Sequence, residues 1–306
     1  MEKISLIILN YNGRDNTLRC LISLKKLLLP NNIKFETIVV DNCSQDDSLK
    51  HVRNEFPDVL IIENKDNLGF SQGNNIGIQY ALEHGADYIV ILNSDTIVDK
   101  NFIKELLIEA KMSDKVGIVV PKIYFAQGFE FHKDRYKQEE LGKVLWYAGG
   151  IMDWSNVIGF HRGVDEIDKG QYDESIETQF ASGCCMFIKK EVLKDVGLLD
   201  KKYFLYYEDN DLSVRAKKAG YKIIYVPKAV IWHKNAGSAG GSGSKLQDYY
   251  ITRNRLLFGM RYAPLRSKMA ILREGLGILL KGRYWQRRGV LDFFLRKFGK
   301  GSFIYE

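Results

Sequence analysis

The side chains that could do chemistry in this sequence are carboxylates placed directly after short apolar runs. Asp41 follows the run 35–40, and Asp95 follows the run 89–92 after Asn93 and Ser94. Apolar runs of this length are typical of buried parallel strands, and ligands bind at the carboxyl ends of such strands. A carboxylate at such an end suits a divalent cation that also holds substrate phosphates. The alternative for Asp95 is a cap on the helix predicted over 100–111.

A second group of carboxylates, Glu208, Asp209 and Asp211, lies at the start of a helix predicted to run to about residue 220. Acidic residues at a helix N-terminus stabilise the helix dipole, and for Asp211 we favour this interpretation. Aromatic residues precede Glu208 and Asp209 and would partly remove them from water. Partial desolvation raises a carboxyl pKa, as a general base requires.

Two basic side chains, those of His233 and Arg253, complete the set of candidate site residues. His233 ends an apolar run and precedes the Gly/Ser-rich loop 235–244. Neutral imidazole is a common ligand of metals such as manganese, although a structural histidine is the more frequent case. The loop could close over a phosphate through backbone N–H groups. Arg253, in a helix predicted over 246–262, could neutralise a diphosphate, and a basic helix face is the alternative.

The elements that must position these residues alternate between strand and helix up to residue 120. The predicted strands are 4–9, 35–40, 59–62, 89–92 and 116–120, and the predicted helices include 18–28, 45–54, 71–84 and 100–111. This alternation predicts βαβ units, a mainly parallel sheet and right-handed crossovers. A GxGxxG motif does not follow the first strand and GxxxxGK[ST] does not occur, which disfavours a dinucleotide fold and excludes a P-loop.

Beyond residue 120 the pattern is less regular. We interpret 121–180 as an insertion that shapes an acceptor pocket, with a strand near 157–163. Order returns over 178–189, where the small residues 181–185 would let a ligand or another backbone approach closely. Two further strands are predicted, over 221–226 and 230–233.

Composition excludes several classes of protein. The 306 residues have ordinary apolar and charged contents, so disorder is not indicated. Met1 leads straight into a strand pattern, and apolar runs of about 18 residues do not occur, so we expect neither a secretory signal nor a transmembrane helix. The four cysteines suit neither a disulfide framework nor a zinc site, so we expect a cytoplasmic protein.

The positive charge is concentrated at the C-terminal end. Residues 245–306 hold 14 Lys and Arg against 4 Asp and Glu, whereas residues 1–244 hold 31 against 34. Leucines and aromatic residues recur among these cations at helical spacing, as in helices that lie on anionic bilayers. The alternatives are a helix packed on the domain and a homodimer contact. Nucleic acid is disfavoured as a partner because a motif that reads RNA or DNA is not present.

Seven short motifs occur in an order that resembles the family 2 glycosyltransferases of GT-A fold, in particular bacterial rhamnosyltransferase-like members. The resemblance spans residues 4 to about 255. Its motifs are Ile8-Leu9-Asn10-Tyr11-Asn12, Val40-Asp41-Asn42-Cys43-Ser44 with Asp46, Asn67-Leu68-Gly69-Phe70 with Gly73-Asn74-Asn75, Leu92-Asn93-Ser94-Asp95, Tyr207-Glu208-Asp209-Asn210-Asp211, His233 before the Gly/Ser loop, and Tyr249-Tyr250 with Arg253-Asn254.

The resemblance implies a role for each matched position. Residues 1–244 would form a GT-A domain, with 1–120 binding the nucleotide sugar and 121–244 the acceptor, followed by a basic helical segment, 245–306. Asp95 would contact the ribose and the metal, His233 would be the second metal ligand, and Asp209 would be the catalytic base beside Glu208. The donor site would be formed by Asn10, Asn12, Asp41, Asn67, Gly69, Asn74, Asn93, Asp95 and Arg253, with Asp41 binding the pyrimidine base.

The resemblance further implies an inverting, metal-dependent transfer of one sugar from dTDP-rhamnose or a UDP-sugar to a lipid-linked or cell-surface glycan, at the inner face of the membrane. The cation would be Mn²⁺ or Mg²⁺. Position 93 is Asn where the family's motif has Asp, which predicts that metal binds well only with nucleotide. A processive synthase is disfavoured because QxxRW does not occur. The alternative function is a catalytically inactive relative that binds nucleotide or glycan.

Overall fold

Four parallel strands bring the N-terminal polar residues to one edge of a sheet. A computed structural model describes residues 1–234 and 243–304, so most of the predicted Gly/Ser-rich loop lies outside the described residues. The first elements are β1 (Glu2–Asn10), α1 (Arg14–Leu24), β2 (Ile33–Asp41), α2 (Ser48–Glu55), β3 (Leu60–Glu63), α3 (Gly69–Glu83) and β4 (Tyr88–Asn93). β1 pairs in parallel with both β2 and β4, and its register places Asn10 opposite Asp41 and Leu9 opposite Asn93. The predicted βαβ arrangement is confirmed, although α1 ends at Leu24, before the predicted end at Leu28.

The rest of the sheet contains both parallel and antiparallel strands. The elements that follow β4 along the chain are β5 (Thr96–Val98), α4 (Phe102–Ala110), β6 (Val116–Phe125), β7 (Leu145–Tyr147), β8 (Gly150–Asp153), β9 (Ile158–His161), β10 (Ile176–Glu177), β11 (Cys185–Lys189), α5 (Lys190–Val196), α6 (Glu208–Lys218) and β12 (Lys222–His233). The described residues form one sheet in the order β10-β12-β6-β11-β4-β1-β2-β3, with β5 on β12 and β7 on β6. β8 and β9 form a separate antiparallel ribbon within the irregular region.

An antiparallel strand, β11, lies between β4 and β6. Its first residue, Cys185, pairs with Leu92 near the end of β4. Within the stretch 178–189, where the return of order is predicted, only the part from Cys185 is a strand, and residues 181–184 form a loop at the carboxyl edge of the sheet. Because β11 runs against its neighbours, the loop that precedes it lies beside the polar ends of the parallel strands.

The two strands predicted over 221–226 and 230–233 are one strand, β12. Its register with β6 shifts between Val226 and Val230, around Pro227. Proline has no N–H to donate to a ladder and is found at such irregularities, which is why the sequence pattern is interrupted there. Beyond the shift β12 pairs with β5, and this pairing places His233 opposite Thr96.

Three C-terminal helices, α7 (Lys245–Tyr262), α8 (Leu265–Lys281) and α9 (Tyr284–Phe294), pack on the domain. Leu256, Leu257 and Phe258 of α7 belong to the same buried core as the sheet, as do Ile271 of α8 and Val290 of α9. The inner face of these helices is therefore packed on the domain, as one of the alternatives for the basic C-terminal segment predicts. Within residues 1–234 and 243–304, every helix is too short or too polar to cross a bilayer.

The close approach of α3 to the sheet depends on glycine. A Cβ added at Gly77 would lie 2.7 Å from Ile7 Cγ2 and 3.0 Å from Val40 Cγ2. We expect Gly77→Val to lower the free energy of unfolding by about 1–3 kcal/mol, because the helix must move off β1 and β2. Gln79→Val, on the exposed side of the same helix, is the matched control for helix propensity. Urea unfolding measures both, and equal stabilities would contradict the predicted packing.

Candidate active site

Asp95 and His233 are brought together by the pairing of β5 with β12. His233 Nε2 lies 3.1 Å from Asp95 Oδ1, and both side chains are largely buried. Burial by itself raises the pKa of the Asp95 carboxyl, but the adjacent imidazole, a backbone hydrogen bond and Lys234 together outweigh it and the net pKa is lowered. Asp95 does not cap α4, since that helix begins at Phe102 after β5. The long-range pair that the sequence predicts is therefore in contact.

Aromatic residues of the irregular region surround the imidazole of His233. The Trp146 ring packs edge-to-face against His233 and against His161, at centroid distances of 4.6 and 4.3 Å. His161 Nδ1 lies 3.1 Å from the Trp146 carbonyl oxygen, and burial lowers the pKa of His161 to about 4. His161 is therefore a neutral member of a packed wall, and this wall fixes the orientation of His233.

The Asp95 and His233 pair fits a divalent cation only as part of a ligand set. Two neighbouring ligands of a six-coordinate ion of this class are about 3 Å apart, as Asp95 Oδ1 and His233 Nε2 are. The buried Nδ1 of His233 has no hydrogen-bond partner in the described part of the chain. Within that same part, groups of three or more His, Cys, Asp and Glu side chains suited to a metal do not occur. The remaining ligands of a bound ion would have to come from a substrate.

The ends of β1 and β2 form a closed polar network around Asp41. Asn10 Nδ2 donates to Asp41 Oδ1 at 2.7 Å and to Ser44 Oγ at 3.0 Å, while Asn10 Oδ1 accepts from Thr17 at 2.7 Å. Ser44 donates to Asp41 through both N and Oγ. All of the polar atoms of Asn10 are thereby engaged, so this residue holds Asp41 in place. Asn12 lies at the rim, with its Oδ1 accepting from Gln45 N at 2.7 Å.

The segment at the start of α3 is tied to the same edge through Asn42. Asn42 Nδ2 donates to Asn67 Oδ1 at 2.9 Å and to the Gly69 carbonyl at 3.2 Å. Gly69 has φ +75°, and a Cβ there would lie 2.5 Å from the Phe204 ring. The buried Asn74 donates to the Phe70 carbonyl at 2.9 Å. The predicted donor residues Asn67, Gly69 and Asn74 therefore lie beside the loop that carries the acidic motif.

The loop before the acidic motif has an unusual backbone. Phe204, Tyr206 and Tyr207 all adopt left-handed conformations, with φ of 66°, 69° and 73°. Such conformations are strained for aromatic residues and persist only where the surroundings enforce them. Asn254 Nδ2, on α7, lies within 2.8–2.9 Å of the carbonyl oxygens of residues 203, 205 and 206. The Phe204 carbonyl accepts from the backbone N–H groups of Phe70 and Ser71, at 2.6 and 3.2 Å.

This backbone places Glu208 and Asp209 in the first turn of α6. Asp209 is partly exposed, and its Oδ2 accepts from Gly183 N at 3.0 Å while its Oδ1 accepts from Asn210 N at 2.7 Å. Burial raises the pKa of Asp209, although these hydrogen bonds oppose the change. Glu208 is buried, its Oε2 has no partner within the described residues, and burial raises the pKa of this carboxyl strongly. Two carboxyl groups of raised pKa therefore lie together, one buried and one accessible.

A short loop connects the two ends of the candidate site. The Gly183 N–H binds the Asp209 carboxylate, and the adjacent Cys184 carbonyl accepts from Asn93 N at 2.9 Å. A Cβ at Gly183 would lie 3.4 Å from the Phe70 ring and 3.5 Å from Asp209 Oδ2. These are ordinary van der Waals contacts with side chains, so close approach of a ligand or another backbone to residues 181–185 stays a prediction. The carboxyl end of β4 and the N-terminus of α6 consequently share one rim.

Arg253 does not lie where the sequence analysis expected a phosphate ligand. Its guanidinium is fully buried and donates to the carbonyl oxygens of Gly299, Tyr203 and Lys202, at 2.7, 3.0 and 3.2 Å. It also packs on the aromatic faces of Tyr249 and Tyr250. These contacts satisfy the buried charge and correct the prediction that Arg253 neutralises a diphosphate. Arg253 instead joins the 202–203 backbone to the C-terminal end of the chain.

The sequence did not indicate the residues that hold other site residues in place. Asn254 was noted only as part of a motif, and the Trp146 and His161 wall was not connected to His233. The adjacent pair Arg253-Asn254 could have indicated a clamp, because consecutive buried polar residues in a helix need backbone or side-chain partners. The spacing of Trp146 and His161 offers no comparable signal, since the contact of Trp146 with His233 joins residues far apart in sequence.

Comparison with known proteins supplies the context for this geometry. A family profile described as "Glycosyl transferase family 2" matches residues 5–197. The chain is 24% identical over 258 residues to the low-salt glycan biosynthesis hexosyltransferase Agl10 of Haloferax volcanii, covering 84% of this chain and 75% of that protein. It is 25% identical to the N-acetylglucosaminyl-diphospho-decaprenol L-rhamnosyltransferase of Mycobacterium tuberculosis (71% and 72% covered) and to the dTDP-rhamnosyl transferase RfbF of Shigella flexneri (86% and 82% covered).

Solved structures show that the fold is GT-A. GalNAc-T7 with UDP, GalNAc and Mn²⁺ superposes with a TM-score of 0.63 at 18% identity, covering 96% of this chain, which spans 58% of that one. The mannosyltransferase PcManGT of Pyrobaculum calidifontis with GDP-Man and Mn²⁺ superposes with a TM-score of 0.54 at 17% identity, with 96% and 74% covered. The sequence prediction of a GT-A fold with a mainly parallel sheet is confirmed.

Removal of the Asn254 amide tests the clamp on the strained loop. We expect Asn254→Ala to lower the free energy of unfolding by about 1–3 kcal/mol, because the part-buried carbonyl groups of residues 205 and 206 lose this donor, whereas that of Tyr203 keeps Arg253. Asn54→Ala, at an exposed position on α2, should change it by less than about 0.5 kcal/mol. Urea unfolding gives both values. An Asn254→Ala protein as stable as the wild type would show that the loop holds its left-handed backbone without α7.

Proposed function

The chain belongs to glycosyl transferase family 2, and on this premise we propose that it moves one sugar from a nucleotide sugar to a hydroxyl group of a lipid-linked or cell-surface glycan. The observation that carries the proposal is the shared rim, where Asp209 is held through Gly183 and Cys184 against the β4 end that leads to Asp95. Two relatives are named as rhamnosyl transferases and one of these names includes dTDP, which supports dTDP-rhamnose as the first donor to test, and UDP-hexoses are the second.

The reaction needs a base for the acceptor and a route for the leaving group. Asp209 takes the proton of the attacking hydroxyl, and the oxygen forms a bond to the anomeric carbon while the bond to the diphosphate oxygen breaks. A single displacement of this kind inverts the anomeric centre, and it requires one carboxylate in reach of the acceptor. Burial raises the pKa of the adjacent Glu208 carboxyl strongly, which favours the neutral form of this group and so limits the negative charge next to the base.

The donor would lie along the edge formed by the N-terminal strands. Asp41 would bind the base of the nucleotide, held in place by Asn10, while Asn12, Asn67, Gly69, Asn74 and Asn93 would line the same edge. Asp95 and His233 would hold a Mn²⁺ or Mg²⁺ ion, which when bound neutralises charge on the leaving diphosphate. The buried, incompletely partnered imidazole and its 3.1 Å separation from Asp95 support this assignment.

The proposal also assigns a function to each part of the chain. Residues 1–120 would bind the donor, residues 121–244 would bind the acceptor and supply the base, and residues 245–306 would be the basic helical segment. The relatives' names include a decaprenol-linked substrate, which supports a peripheral location on the inner face of the cell membrane.

Replacement of the proposed base tests the reaction. We expect Asp209→Asn to lower the transfer rate by about 10²–10⁴-fold, because the amide cannot accept the hydroxyl proton. Release of nucleoside diphosphate from each donor, with manganese and a polyprenyl-diphosphate-linked glycan, measures the rate. The wild-type rate should fall on acidification at a pH above the ordinary Asp value of about 4, because the pKa of Asp209 is raised. Asp114→Asn, at an exposed site, is the control.

Stability separates loss of the base from loss of the fold. The folded protein binds the Asp209 proton more tightly than the unfolded chain does, so ionised Asp209 lowers the free energy of unfolding above the ordinary Asp pKa. Asp209→Asn should therefore be at least as stable as the wild type at neutral pH. Full transfer activity in this variant would exclude Asp209 as the base. A wild-type protein that binds nucleotide yet transfers from none of the donors would favour the inactive, binding-only relative.

Metal binding should depend on nucleotide, since the protein supplies two ligands. We expect titration calorimetry to show Mn²⁺ binding at least about tenfold tighter when a nucleoside diphosphate is present, which is within the usual range of coupling between sites. His233→Gln should remove this gain in Mn²⁺ affinity. His84→Gln, at an exposed position directly after α3, should retain it. Tight Mn²⁺ binding to the protein alone would contradict the two-ligand site.

A further inference from the structure

The C-terminal helices have an outer face that the domain does not cover. Ser267, Ile271 and Gly275 of α8 point inward and are buried. Leu265, Met269, Leu276 and Leu280 recur at intervals of four or seven residues, and they are 76%, 62%, 56% and 80% exposed. At 100° per residue these four lie within one stripe on the side away from the core. α8 is therefore apolar on both sides, which is unusual for a helix that faces water on one of them.

The stripe continues onto α9 and the residue after it. Tyr284, Leu291, Phe294 and Leu295 are exposed, while Val290 and Asp292 of the same helix are buried. α8 and α9 pack against each other, and Leu279 of α8 lines one surface cleft together with Tyr284 and Leu291 of α9. Contiguous exposed apolar surface of this kind marks a site of interaction.

The same surface is strongly basic. Residues 265–300 carry ten Lys and Arg but two Asp and Glu, and both acids are committed to the protein. Glu274 pairs with Arg255 of α7, and Asp292 is buried against Tyr249. Among the described residues, seven cations of this segment have no carboxylate within 4.0 Å: Arg266, Lys268, Arg273, Lys281, Arg287, Arg296 and Lys297.

A cleft between the two helices combines both properties. It is open, has a volume of about 480 Å³, and is lined by Leu279, Tyr284, Arg287, Arg288 and Leu291. Arg287 and Arg288 thus lie among apolar side chains, and the nearest acid to Arg288 is Asp292 at 3.9 Å. Guanidinium groups bind phosphate through paired donors, and here they lie next to surface that acyl chains could cover.

We propose that the α8–α9 face docks on the surface of an anionic bilayer, with a lipid phosphate between Arg287 and Arg288 and the leucine stripe in the headgroup region. Apolar residues flanked by cations on an amphipathic helix favour this partner. A second copy of the chain fits less well, because pairing this face with itself would oppose two sets of unpaired cations. The inference deepens the peripheral location proposed above, but the docking face does not involve the transfer site.

The test is sedimentation of the full-length protein with vesicles, without donor or acceptor. We expect binding to vesicles of phosphatidylglycerol and phosphatidylcholine in equal parts, and much weaker binding to phosphatidylcholine alone. The double variant Arg287→Gln with Arg288→Gln should lose about 25-fold in partition, about fivefold per cation near the surface. Leu276→Ser with Leu280→Ser should lose at least about tenfold, because two exposed leucines no longer enter the interface.

Matched control substitutions lie at exposed positions outside the C-terminal helices. Lys26→Gln with Lys104→Gln removes two exposed cations, and Ile108→Ser removes an exposed apolar side chain, so both should bind vesicles as the wild type does. Equal losses in the controls and the α8–α9 variants would overturn the proposal, since binding would then not depend on the α8–α9 face. Light scattering that shows a dimer abolished by the leucine variant, with vesicle binding unchanged, would assign the face to a second copy instead. Because donor is absent, neither result bears on the transfer reaction.

Discussion

The left-handed backbone of Phe204, Tyr206 and Tyr207 is the constraint on which the rest of the site depends. Each such residue costs about 1–3 kcal/mol, so the loop needs partners that fix its carbonyl groups. Asn254 provides them from α7, and the first N–H groups of α3 provide them from the donor edge. The loop before the acidic motif is thereby joined both to the predicted nucleotide-binding segment and to the C-terminal helices. α7 is consequently a supporting element of the site, although it lies beyond the residues that match the family profile.

Two long-range strand pairings complete the assembly. The register of β12 with β5 places His233 opposite Thr96 and therefore beside Asp95. The antiparallel insertion of β11 beside β4 places residues 181–184 at the same edge, where Gly183 binds Asp209. Both pairings join segments that are far apart in sequence. The hydrogen-bonding groups of the backbone, rather than the side chains alone, therefore set the positions of the chemical groups.

The C-terminal helices combine features of two interpretations of their sequence, a helix packed on the domain and a helix that lies on an anionic bilayer. Their inner faces contribute Leu256, Ile271 and Val290 to the core, and Arg253 and Asp292 are buried in networks that hold the C-terminal end of the chain. Their outer faces keep the exposed leucines and the unpaired cations. A helix buried on all sides would not carry these cations, and a helix that only packs on the domain would present polar side chains, rather than leucines, to water.

The sequence by itself determined the alternation of strands and helices, the polar residues at the carboxyl ends of β1, β2 and β4, and the carboxylates Glu208 and Asp209 after an aromatic run. These features depend on local periodicity and on residue type, which a sequence displays directly. Only the tertiary structure decided that Arg253 is buried in a clamp, that β12 is one strand through Pro227, and that β11 enters the sheet antiparallel. Those outcomes depend on which distant backbone groups pair and on what covers each side chain, and neither is encoded in local spacing.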